Sequence, residues 1–343
     1  MYLLTRIKNM NMKNFRKTIN KVSARSGKNK ILVALDIIKC GLIYEAGYTD
    51  YDLIHMEELS KKERSKIITR GKNNKIIKKC NNKNFIHILH NKQEFDKRFS
   101  SYLNRDFLYL DDNKEEFVSF ITKHPIFIAK PVDLECGKKV ELINANNKDM
   151  SKLYTYLTKE KINLLEERAS QNTVLNDLHP YSINTVRVVT LNTHVVAAYL
   201  RIGNNKNIVD NFNHEGLLTL VDIDTGQINY DAIDKLGRTY VTHPLTGTKI
   251  NGLTIPMWEE AKKLCQTLSK ELKEIGHIGF DVCIGEEKCF IIEANEYPGH
   301  DLYILNYTLK KEGLWPLFKS ILLKEEKNEN LYCIRPSWCW TRK

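Results

Sequence analysis

Apolar positions recur at helical spacing through the first part of the chain. Between Ile31 and Ile43 they fall on nearly every face of a helix, which predicts a buried one. Gly47 to Tyr51 reads as a turn, Met56 to Ile68 as a polar helix rich in Glu and Lys, and the Lys- and Asn-rich runs from Gly71 to Asn84 as a surface connector. Beyond the connector, short strands alternate with helices. Phe107 to Leu110 predicts a strand, Glu115 to Lys123 a helix, Pro125 to Val132 a buried strand and Val140 to Asn144 its hairpin partner. β-Branched residues from Asn184 to Arg201, interrupted at Asn192-Thr193, predict a long hairpin that Leu217 to Ile223 extends. An amphipathic helix is expected over Trp258 to Ile275. A second hairpin follows, Ile278 to Ile284 and Cys289 to Ala294, turning at Gly285-Glu286-Glu287. The expected fold class is α+β with a helical N-terminal extension.

Composition narrows this picture. With 343 residues and 42% hydrophobic content the chain can bury a real core, so disorder is not the default. No apolar run approaches the roughly 20 residues that a membrane span needs. Met1 to Lys30 has no apolar stretch followed by small residues, so secretion is not expected and a cytoplasmic location is. The eight cysteines show no C-x-x-C spacing and read as reduced thiols. A formal charge of +11 suits a phosphate-rich ligand, anionic headgroups or nucleic acid without choosing among them. The basic start of the chain reads first as a solvated or packing arm; no nucleic-acid partner is expected, and peripheral membrane contact through this arm stays open.

The chemistry concentrates on the second hairpin. Pairing across its turn places Asp281 nearly opposite Glu293, and Glu293 and Asn295 share a strand face, so two carboxylates and an amide oxygen converge. Such a hard-oxygen set suits Mg²⁺ held against phosphates; acids bonded to nearby Lys or Arg explain the same spacing. Lys130 ends an apolar strand, with Gly137 and Lys138 beyond it, and reads either as a polyphosphate contact or as a surface lysine. Glu166 and Glu167 end another apolar run, where they fit a ribose or adenine contact or an ordinary strand end. Asn184, Arg187, Arg201 and Asp210-Asn211 lie in or beside the long hairpin. Arginines set among valines need an anionic partner or ligand, because a guanidinium keeps its charge.

Taken in order, these phrases resemble the ATP-grasp superfamily, and within it the sugar-transfer-associated branch found with genes for cell-surface polysaccharides. The matching phrases are Asn184-Thr185-Val186-Arg187, Arg201-Ile202-Gly203, Asp210-Asn211, His243-Pro244 with Gly247, Gly279-Phe280-Asp281 and Glu293-Ala294-Asn295, with Tyr48 to Tyr51 and Asn91 to Phe95 before them. The resemblance implies a nucleotide held between two α+β lobes and a cofactor set of ATP and Mg²⁺. Lys92, Lys130 and Lys138 would then contact phosphates, Glu166 and Glu167 would lie at the adenine and ribose hinge, and Asp281, Glu293 and Asn295 would hold the metal. Arg187 and Arg201 would steady the transferred phosphoryl group and the acyl intermediate. The domains implied are a helical extension over 1–75, the start of the core over 76–125, a lid over 126–170, a C-terminal subdomain with the metal site over 171–325 and a tail over 326–343.

The implied activity is that of a carboxylate-amine ligase, with a sugar acid or amino-acid-like acceptor and an amine donor. A phosphotransferase acting on a small acceptor and a non-catalytic basic protein on the same scaffold are the alternatives. Two departures from the family pattern bear on this. The loop from Asp133 to Lys139 has a single glycine, so Lys138 would take over part of the phosphate grip. The turn Phe212-Asn213-His214-Glu215-Gly216 is less glycine-rich than in similar sequences, which makes Asn211, His214 and Glu215, together with Asn184, the candidate substrate-binding residues.

Overall fold

The computed structural model describes residues 10–111, 113–132, 139–205 and 216–327. The chain divides into two compact units, one of residues 1–82, 274–277 and 297–343, the other of residues 83–273 and 278–296.

The first unit is helical. Asn11 caps the helix Met12–Ser26, Gly27 ends it at φ 69°, and Asn29 caps the next helix, Lys30–Ile43. Val33, Ile37 and Cys40 face inward and join Phe15, Val22, Tyr51, Met56 and Ile67 in one core cluster. The expectation of a helix buried all round is not met: Ile31, Leu32, Leu35, Ile38, Leu42 and Ile43 are exposed. The supposed turn at Gly47 leads into a short helix, Tyr48–Leu53. The polar helix after it is divided into a 3₁₀ turn, Met56–Glu58, and the helix Lys61–Lys66, which Ser60 and Glu63 start with a capping box.

The supposed surface connector is also a helix, Arg70–Cys80, with Lys72, Asn73, Ile76 and Cys80 buried. Its lysines conceal this, because one of them works inside the fold. Lys72 donates to the carbonyls of Ser65 and Ile67 at 3.0 and 2.6 Å and lies over the ring of Trp315. Burial pushes its ammonium down to about 8. Among the described residues, no helix is long and apolar enough to cross a membrane.

Two antiparallel sheets build the second unit. β1 (Phe107–Tyr109), β2 (Ile126–Lys130), β3 (Glu141–Asn144) and β4 (Leu164–Glu167) form the smaller one in the order β1-β4-β2-β3. Helices Lys114–Lys123 and Met150–Lys159 supply Phe117, Phe120, Leu153 and Leu157 to its core. The larger sheet contains β5 (Val186–Leu191), β6 (His194–Ile202), β7 (Leu217–Val221), β8 (Ala232–Ile233), β9 (Thr239–Tyr240), β10 (His277–Ile284) and β11 (Cys289–Asn295). Its strand order is β11-β10-β5-β6-β7-β8-β9. Asn192, at φ 53°, makes the β5–β6 turn in the left-handed conformation that asparagine tolerates. The amphipathic helix Trp258–Glu271 buries Trp258, Ala261, Cys265 and Leu268 and packs on β5, β6 and β11. The fold class is α+β with a helical N-terminal region, as the sequence pattern predicts.

Candidate active site

Strand register brings five of the sequence-derived site residues onto one face of the larger sheet. Arg187 pairs with Tyr199, two residues from Arg201, so both arginines point to the same side. On the neighbouring hairpin Asp281 faces Glu293 and Gly279 faces Asn295. Asp281, almost fully buried, accepts from Arg187 Nε at 2.5 Å and Nη2 at 2.8 Å, and from Arg201 Nη1 at 2.8 Å. Burial alone would raise its carboxyl; the two guanidinium groups outweigh burial and hold it well below the usual carboxylate range.

Glu293 has the opposite environment. Burial and the neighbouring Asp281 carboxylate, close enough to hydrogen-bond, push its carboxyl up. Its side chain nonetheless keeps a solvent-accessible face. Asn295 Nδ2 donates to Glu293 Oε1 at 3.1 Å, and its amide oxygen is the atom that would ligate a cation. Two adjacent carboxylates beside an amide oxygen fit a hard divalent cation, which would relieve the repulsion between them.

A β-bulge sets this geometry. Val282 pairs with Ile291, whereas Asp281 pairs with Glu293, so Ile292 is the extra residue. Arg105, which carries no motif in the sequence, sits at the bulge. Its Nη1 donates to the Ile291 carbonyl at 2.8 Å and its Nη2 to the Ile292 carbonyl at 3.2 Å. The same guanidinium reaches Glu166 Oε1 from Nη2 at 2.7 Å. Arg105 thereby ties the smaller sheet to the bulge of the larger one.

Glu166 is bonded on both oxygens. Lys130 Nζ lies 2.5 Å from Oε2. Ile128 pairs with Glu166, and Lys130, two residues further along, shares that face of the smaller sheet. Burial would raise the Glu166 carboxyl, but Arg105 and Lys130 hold it at about 2. Glu166 therefore anchors cations in this structure. Glu167 instead accepts from the backbone N–H of Asp106 at 3.0 Å, beside the ion pair of Asp106 with His124. Lys92 opens the helix Lys92–Arg98, and its ammonium is pushed down by burial and by Lys130, against Glu293, Glu166 and Asp96. Lys92, Lys130, Glu166 and Glu293 thus act on one another electrostatically, and the structure gathers them in one neighbourhood.

Asn184 is not brought to that neighbourhood. It is fully buried: its Nδ2 donates to Gln171, Leu175 and His179 oxygens at 2.8 to 3.0 Å, and its Oδ1 accepts from Gly203 N at 3.2 Å. Its polar groups are used inside the fold, which leaves a substrate role without support. The phrases Asn184, Gly203 and His243 turn out to form one buried knot. His243 Nε2 donates to the Gly203 carbonyl at 2.7 Å, and a Cβ on Gly203 would come within 2.3 Å of Ser182 Oγ. Lys138, Asn211, His214 and Glu215 lie outside the described residues.

In outline the chain is similar to the ATP-grasp ligase PsnB, solved with a minimal precursor, Mg and ADP. Identity is 13%, coverage 72% of this chain and 62% of that one, and the TM-score 0.43. It is similar to D-alanine D-alanine ligase from Bacillus anthracis at 12% identity, covering 71% of this chain and 70% of that one with a TM-score of 0.39. It is also similar to a RiPP-associated ATP-grasp ligase of Chryseobacterium gregarium, solved with ADP and leader and core peptides, at 12% identity, 82% and 75% coverage and a TM-score of 0.40. The chain thus spans less than two thirds of the length of PsnB. No curated protein matches the sequence. The sugar-transfer-associated ATP-grasp family matches residues 71–321, well over half of the chain, and the protein belongs to that family.

Proposed function

We propose that this protein is a Mg-ATP-dependent ligase that activates a carboxylate for capture by an amine. The observation that carries the proposal is the single sheet face on which Arg187 and Arg201 are held by Asp281 next to Glu293 and Asn295, with Lys92 and Lys130 acting on the same neighbourhood. In this reading the nucleotide lies between the two sheets of the second unit, with residues 126–170 as the lid.

Lys92 and Lys130 neutralise the phosphates, and Glu166 keeps Lys130 in place. Glu293, Asn295 and Asp281 would hold Mg²⁺, which would neutralise phosphate charge when bound. A carboxylate oxygen of the acceptor attacks the γ-phosphorus, and ADP leaves with the electron pair of the broken P–O bond. The amine nitrogen then attacks the acyl carbon, loses its proton and expels phosphate. Arg187 and Arg201, fixed by Asp281 rather than free to search, stabilise charge on the transferred group and on the acyl oxygen. The acceptor class we propose is a sugar acid or amino-acid-like carboxylate used in cell-surface polysaccharide assembly, in keeping with the family's association with sugar transfer.

Purified protein incubated with Mg-ATP, a panel of such acids and a panel of amines should release ADP and free phosphate only when both acceptors are present. ADP with a stable phospho-acceptor would instead assign a phosphotransferase, and failure to bind Mg-ATP would remove the catalytic reading.

The raised Glu293 carboxyl makes a second expectation. A protonated carboxyl cannot ligate a cation, so Mg²⁺ affinity should rise as pH increases through the folded pKa of Glu293. Calorimetric titration with Mg²⁺ over a series of pH values should show this rise. The same pH dependence in Glu293→Gln would mean that Glu293 is not the ligand.

A further inference from the structure

The helix Lys30–Ile43 presents an apolar surface that the described residues of its own unit leave exposed. Ile31, Leu35, Ile38 and Leu42 lie opposite the inward-facing Val33, Ile37 and Cys40, and Leu32 and Ile43 widen the stripe. Each of the six is between 47% and 68% exposed. A contiguous apolar stripe of this kind marks an interaction site.

Charge identifies the partner. Lys30 and Lys39 on the same helix, and Lys13, Arg16 and Lys17 on the adjoining helix Met12–Ser26, are exposed. The acids of this region turn inward: Asp36 takes both Nη groups of Arg64 at 2.8 Å and the Tyr51 hydroxyl at 2.7 Å, and Glu45 takes Lys75 at 2.7 Å. The hairpin therefore exposes both aliphatic and cationic side chains. A second copy docked on it through a two-fold axis would set like charges together. A bilayer with anionic headgroups satisfies both parts, because aliphatic side chains enter the acyl boundary while Lys and Arg remain at the phosphates.

We propose that the helical hairpin of residues 12–43 docks this protein peripherally on an anionic membrane surface. The inference is independent of the reaction assigned to the other unit.

Flotation of the full chain with phosphatidylcholine vesicles, with and without phosphatidylglycerol, tests it. The protein should float with the anionic vesicles and not with phosphatidylcholine alone. The triple variant Leu35→Gln, Ile38→Gln, Leu42→Gln should partition at least about 10-fold more weakly. Replacing Lys13, Arg16 and Lys17 by Gln should weaken partitioning on the order of 100-fold at low salt. All six positions are exposed on helices, and unchanged circular dichroism melts would verify that both variants fold. No flotation, equal flotation of the variants, equal flotation without phosphatidylglycerol, or a dimer that the triple variant abolishes would each overturn the proposal.

Discussion

A Glu293→Gln protein is expected to unfold at the parent's temperature or slightly above it, and to consume ATP on the order of 1,000-fold more slowly. The two results follow from one contact. Burial and the Asp281 carboxylate push the Glu293 carboxyl up, so its negative charge is a burden on the folded state. A group whose folded pKa is raised contributes stability only while protonated and loses it as pH rises through that value. The amide of Gln has the same shape, donates a hydrogen bond to Asp281 at every pH and brings no second charge. It also removes the carboxylate that would hold the cation against the nucleotide. Differential scanning calorimetry and steady-state ATP consumption under saturating Mg²⁺ separate the two effects. Undiminished turnover would dismiss Glu293 as a ligand; a marked loss of stability would assign it a structural ion pair instead.

The second large effect is expected at Arg105. Arg105→Met should destabilise the sheet-bearing unit by about 3 to 5 kcal/mol, the usual cost of breaking a buried ion pair from one side. Of its two ion-pair partners Glu166 would keep Lys130, and the bulge carbonyls of Ile291 and Ile292 would lose the Arg105 donor. Adding Glu166→Leu should restore part of the loss, because the second substitution removes the carboxylate stranded by the first. Chemical unfolding of the parent, both single variants and the double variant gives the coupling. Strict additivity would mean that Arg105 and Glu166 do not stabilise each other. ATP consumption should fall as well, since the positions of Lys130 and Glu293 both depend on this guanidinium.

Local pattern makes the hairpins legible. Apolar strands interrupted by Asp281, Glu293 and Asn295, with a turn at Gly285, are enough to place the acids near each other. Counting back from the turn, however, sets Asp281 against Ile292; the bulge that brings Glu293 opposite it has no signature in residue type. Arg105 is hidden for a different reason. It stands in a short loop without a motif, and its partners lie 61 and 186 residues away in sequence.

Two helices depart from their pattern because composition does not say what covers a surface. Lysines and asparagines disguise the helix Arg70–Cys80, whose Lys72 is buried with its hydrogen bonds met by carbonyls. Apolar residues on every face of Lys30–Ile43 suggest burial, yet the described residues of its unit cover one side and leave Ile31, Leu35, Ile38 and Leu42 exposed. Asn184 reads as a substrate contact because it belongs to a characteristic phrase. Its fully used amide shows that such a phrase can also record how a hairpin is pinned to the helix beside it.

The bulge at Ile292 makes β11 a reading frame. Residues from Cys289 to Ile291 are counted in one phase and those from Glu293 to Asn295 in another, and the single extra residue is the shift between them. Ironing out the bulge without removing a residue would carry the first phase through, set Ile292 opposite Asp281 and turn Glu293 and Asn295 to the far side of the sheet, while Cys289 to Ile291 kept their pairing. The chain could then retain every side chain of the site and lose the site itself, a kind of damage that no tally of residue identities would reveal.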